Sequence, residues 1–190
     1  MRRNGTTLIE VIIVCALIAL LLGSAMGAFT QLLAASRFTD NLMEADFQSQ
    51  NAINNISLDL RCSSHNTSGD YYPRVNGSEL RFKVVNGFSM ADEKATYTSY
   101  WVCYWYDTAG DRLVRRFRND AGQLLTAAPA EFPGEAEQTV ASNVTSVSWN
   151  VDSDTGLVFV SIKTAVGDAN EVRSYAELTK SAYVLPQNMD

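Results

Sequence analysis

Four sets of residues have the types or spacing to do chemistry. Glu10 stands at the mouth of an apolar run, and residues 11–36 carry no charged side chain. A carboxylate at membrane depth costs about 2.5–3.5 kcal/mol on insertion scales, so Glu10 needs a partner or must snorkel to the headgroups. Arg112, Arg115, Arg116 and Arg118 crowd one short stretch and form a candidate docking patch for an acidic neighbour. The alternative is a strand face held by cross-strand pairs. Asp152-Ser153-Asp154-Thr155-Gly156 resembles the start of a calcium loop, but its glycine comes too early and no glutamate closes it, so a hairpin turn is the better reading. Cys62 and Cys103 are a candidate disulfide.

The remaining chemistry is thin. His65 is the sole histidine, and a zinc site needs more ligands than that. There is no nucleophile elbow, phosphate loop, paired catalytic carboxylate spacing or redox CxxC. No metal or cofactor is implied, and the chain reads as a non-enzyme. Residues 6–190 hold 13 basic and 21 acidic side chains, a net charge of −8. That argues against nucleic acid as the main partner.

The elements that position these residues follow from patterning. Residues 11–29, VIIVCALIALLLGSAMGAF, are almost entirely apolar and long enough to span a bilayer, which takes roughly 20 residues. Arg2 and Arg3 precede the run, so the positive-inside rule places the N-terminus in the cytoplasm and the rest outside. Cys62 and Cys103 then share a compartment where disulfides persist. Cys15, inside the run, acts as a small apolar residue. Gly23 and Gly27 fall four apart, a spacing that lets helices approach closely in lipid.

The helix does not stop at the membrane. Phe38, Leu42, Ala45, Ala52, Ile53, Ile56 and Leu60 recur at helical steps, with a gap at Ser49. No proline interrupts residues 6–72. The spacing predicts one helix from residue 6 to about 61, roughly 80 Å long, apolar all round at first (about 8–30 in the membrane) and then on one face. Residues 63–79 read as loop and turn. Strands are expected at 80–85, 97–106, 112–118, 140–151, 157–166 and 171–184, with an irregular connection at 121–138. In the 112–118 strand, Leu113, Arg115 and Phe117 share one face, and Val114, Arg116 and Arg118 the other. The fold class is α+β: a long N-terminal helix packed on a mainly antiparallel β body.

The opening RRNG-TTLIEV resembles the type III signal of type IV pilins and pseudopilins. In that family a basic leader ends in glycine, a prepilin peptidase cuts after it, and the new N-terminus is methylated. A glutamate stands fifth after the cut. The resemblance implies a leader at 1–5, cleavage between Gly5 and Thr6, and methylation at Thr6, where the family usually has phenylalanine. It also gives Glu10 a partner, the amine released on a neighbouring subunit. The stretch YWVCYWYDTAGDRLVRRFRND and the later VASNVTSVSWNV resemble the J-type minor pseudopilins of type II secretion and the W-type minor pilins. The implied protein is a structural subunit of a pseudopilus or pilus in the cytoplasmic membrane, with an extracytoplasmic body at 62–190. Its implied partners are the prepilin peptidase, other pilin or pseudopilin subunits and the inner-membrane assembly machinery. A membrane-tethered binding module that does not polymerise is the alternative.

Overall fold

The computed structural model describes residues 7–63, 73–91, 94–132, 134–152, 154–168 and 174–186. Helix α1 runs unbroken through Leu8–Arg61, 54 residues, or about 80 Å at 1.5 Å per residue. No residue in it lacks an N–H or forces a kink. At its end Cys62 leaves the helical region; its N–H still bonds the Asp59 carbonyl at 3.2 Å, and the Ser63 N–H bonds that of Leu60 at 2.9 Å. The Ser63 hydroxyl donates to the Leu60 oxygen at 2.7 Å, satisfying a terminal acceptor.

Two antiparallel sheets form most of the body. The first holds β1 (Arg74–Asn76), β2 (Glu79–Phe82), β5 (Tyr100–Asp107), β6 (Arg112–Asn119) and β7 (Glu137–Ala141), in the order β1-β2-β5-β6-β7. The second holds β8 (Val144–Val151), β9 (Val158–Val166) and β10 (Ala176–Val184), with β9 central. β3 (Val85–Ser89) and β4 (Lys94–Tyr97) pair as a separate hairpin.

The expected antiparallel body is thus divided between sheets, and two expected strands are divided with it. The segment expected as one strand at 140–151 breaks at Ser142-Asn143 between β7 and β8. Asn143 takes a left-handed φ of 58°, which asparagine tolerates better than most residues. There the chain leaves one sheet and enters the other, and the Asn143 carbonyl accepts the Ala165 N–H at 2.9 Å. Likewise the strand expected at 80–85 ends at Phe82, and Val85 opens the hairpin. The last strand begins at Ala176; residues 171–173 lie outside those described.

The core joins the two sheets to the second half of α1. Leu80, Phe82, Val102, Tyr104, Leu113 and Phe117 come from the first sheet, and Val144, Val158, Val160 and Ile162 from the second. The helix adds Ala45, Ser49, Ala52, Ile53, Ile56 and Leu60. Ser49 fills the gap in the apolar stripe: it is buried, with its hydroxyl turned back to the Asp46 carbonyl at 3.0 Å. Small side chains at 45, 49 and 52 leave room for a close sheet, and Thr164 of β9 donates its hydroxyl to the Ala45 carbonyl at 2.9 Å.

Polar side chains fasten the same half of the helix. Asn41 donates to the Ser174 carbonyl at 2.5 Å and Asn51 to the Val140 carbonyl at 2.9 Å. Gln48 accepts the Ser142 N–H at 3.0 Å, and Lys180 pairs with Asp46 at 2.7 Å. Gly167 is required beside this seam. Its φ is +103°, and a Cβ there would strike the Ser174 carbonyl and the Asn41 amide.

Candidate functional site

Glu10 lies in the first turn of α1, where the backbone places it over the helix start. Its Oε2 accepts the Thr7 N–H at 2.9 Å. The carboxylate thereby caps an otherwise unpaired donor and sits at the positive end of the helix dipole. Gly5 and Thr6, the expected cleavage and methylation positions, lie outside the described residues, as does His65.

Beyond Glu10 the helix has no cover within the chain. Every described residue from Thr7 to Leu33 is exposed, including Leu20 at 70% and Met26 at 72%. The segment is long and apolar enough to cross a membrane. Its hydroxyls are satisfied internally: Ser24 donates to the Leu21 carbonyl at 2.8 Å and Thr30 to that of Gly27 at 2.9 Å. Such bonds suit a helix in lipid, where no water is at hand.

The four arginines of the candidate docking patch do not share one face. β6 alternates, so Arg115 points toward α1 while Arg112, Arg116 and Arg118 point away. Each is engaged within the chain. Arg112 pairs with Asp107 at 2.9 Å. Arg116 and Arg118 both reach Glu79, at 2.9 and 3.2 Å, alongside Arg81 at 2.5 Å. Burial alone would raise the Glu79 carboxyl, but the bonds and charges of Arg116 and Arg81 outweigh it and hold it below its ordinary value. The Arg116 guanidinium also lies 4.1 Å above the Trp105 ring.

Arg115 joins the helix to the sheet. Its Nη1 meets Asp59, in the last turn of α1, at 3.3 Å, and its Nη2 donates to Gln138 at 2.6 Å. Tyr104 donates to the same Asp59 carboxylate at 2.6 Å. Burial pushes the Asp59 carboxyl up despite Tyr104 and Arg115. A group so placed fixes geometry more than it adds stability. Nothing in the local sequence marks Asp59 or Glu79; a partner across the fold makes them important.

The cysteine pairing is also corrected. All three thiols are free. Cys62 is exposed at the end of α1, while Cys103 is buried on the face of β5 that points away from the helix, next in register to Arg81 and Arg116. Burial, reinforced by the Glu79 charge, pushes its thiol up to about 12, which makes it unreactive.

The Asp152 turn behaves as a hairpin. Its carboxylate accepts from the Thr155 hydroxyl at 2.7 Å and the Asp154 N–H at 3.0 Å. Among the described residues no cluster of His, Cys, Asp and Glu could hold a metal ion. What the described residues present is an uncovered apolar half-helix headed by one carboxylate, continuous with a half that packs on the β body. Compared with protein-family models, curated proteins and solved structures, the chain has no match.

Proposed function

We propose that this chain is a structural subunit of the pilin type, cleaved after Gly5 and assembled through its N-terminal helix into a pseudopilus or pilus. One observation carries the reading. A single continuous helix exposes an apolar half with Glu10 at its head, while its other half is bonded into a folded body. A signal anchor needs the apolar half alone. An assembling subunit also needs the rigid continuation, which holds neighbouring bodies in register when helices pack.

On this reading the chain crosses the cytoplasmic membrane once, with its body extracytoplasmic. Its role is mechanical, and the prepilin peptidase and the assembly machinery supply the chemistry. The Thr7 cap satisfies only part of the Glu10 carboxylate, which can accept several hydrogen bonds, so Glu10 keeps capacity for the amine of a neighbouring copy. Glu10→Ala should leave membrane insertion unchanged and sharply reduce incorporation into filaments, read by shearing and immunoblotting. Normal incorporation of that variant contradicts the amine pairing. A tethered receptor, the second reading, would tolerate both the substitution and an uncut leader.

A further inference from the structure

The outer face of the β8-β9-β10 sheet carries more than a soluble surface requires. Along β9 the side chains alternate: Val158, Val160, Ile162 and Thr164 are buried, while Phe159, Ser161 and Lys163 face out. Register aligns three cross-strand rows. Asn150, Phe159 and Tyr183 form the first; Ser148, Ser161 and Ser181 the second; Ser146, Lys163 and Thr179 the third. Successive rows lie about 7 Å apart, two residues along a strand.

The first row is an aromatic platform. The Phe159 and Tyr183 rings lie 4.9 Å apart at 45°, and Tyr183 is 71% exposed. Asn150, Val151, Asp152 and Leu157 join the two rings around an open cleft of about 430 Å³. Among the described residues neither the Tyr183 hydroxyl nor the Asn150 amide has a hydrogen-bond partner. In the second row the Ser181 hydroxyl donates to that of Ser161 at 2.9 Å. Both keep further capacity, since a hydroxyl gives one bond and accepts two.

Charge on this face is closed off. Lys163 pairs with Glu177 at 2.8 Å, and Asp152 is committed to its own turn. We infer that this face is a binding platform for a neutral pyranose chain, with the exposed Tyr183 ring stacking against a sugar ring beside Phe159 and the Asn150 and serine side chains bonding its hydroxyls. A polyanion or an acidic peptide would find no net positive charge. A partner helix would find two rings and then rows of hydroxyls. A sugar presents apolar C–H faces and hydroxyl edges together, which is the pattern these rows match. A cross-strand aromatic pair by itself only steadies a sheet and calls for no amide and serine row in line with it. This platform is independent of filament assembly.

The test titrates chitohexaose and cellohexaose into the full chain in lauryldimethylamine oxide, a detergent without a sugar headgroup, and follows tyrosine fluorescence and heat. Saturable binding of either oligosaccharide is expected, weakened about tenfold or more by Tyr183→Ala, largely kept by Tyr183→Phe, and reduced a few-fold by Asn150→Ala. Tyr183 is exposed, so the far-UV circular dichroism and unfolding midpoint of its variants should match the parent. No saturable binding up to about 10 mM, or equal binding by Tyr183→Ala, overturns the inference. So does a Tyr183→Ala variant whose only change is in self-association by sedimentation, which would assign the face to contact between copies.

Discussion

From Leu8 to Leu33 helix α1 shows leucine, isoleucine and valine on every side, whereas from Asn41 to Leu60 it buries one narrow stripe and bonds several polar side chains beside that stripe to the body. The backbone is the same throughout; the surroundings differ. In the first half every contact must come from outside the chain. In the second, small residues admit β9, and amides and carboxylates lock the helix in azimuth. The lesson is a division of labour: burial gives adhesion, and the polar bonds at Asn41, Asn51 and Asp59 give orientation, because a hydrogen bond has a direction and a hydrophobic contact does not.

The comparison breaks most severely at the buried charges. Glu79→Ala leaves Arg81, Arg116 and Arg118 without their shared carboxylate and should cost about 3–5 kcal/mol, measured by thermal unfolding of the body in detergent. The same site sets an acid limb. The fold holds Glu79 below its ordinary value, so its contribution is complete above the ordinary glutamate range and fades as pH falls through the lowered value. Glu79→Gln should therefore lose stability at neutral pH and flatten that limb in a pH series.

Smaller effects sharpen the contrast. Thr164→Val removes the hydroxyl bond to Ala45 and should cost about 1 kcal/mol. A thiol reductant should leave the unfolding midpoint unchanged, since Cys62 and Cys103 are unbonded; a downward shift would restore the disulfide. Leu17→Ala, in the uncovered half, should not move the body's midpoint at all. A clear loss would mean that the two halves are less independent than their contacts indicate.

The helix was legible in the sequence because its signals are local: an uninterrupted apolar run, then a 3.6-residue stripe. The strand at 112–118 and its two faces were legible for the same reason, since alternation is local. The split into two sheets was not. It depends on a left-handed turn at Asn143 within a segment of uniform strand character. Nor was the fate of the arginines, because Glu79 lies two strands away and Asp59 belongs to the helix. Glu10 was visible by its oddness; its Thr7 cap became visible only with the backbone in place.

The central claim is that the chain is processed and then assembles through α1. Its most direct test is the intact mass of the protein purified from cells with and without an active prepilin peptidase. The account predicts loss of residues 1–5 only when the peptidase is present, with or without an added methyl on Thr6. A full-length N-terminus in the presence of active peptidase would contradict it.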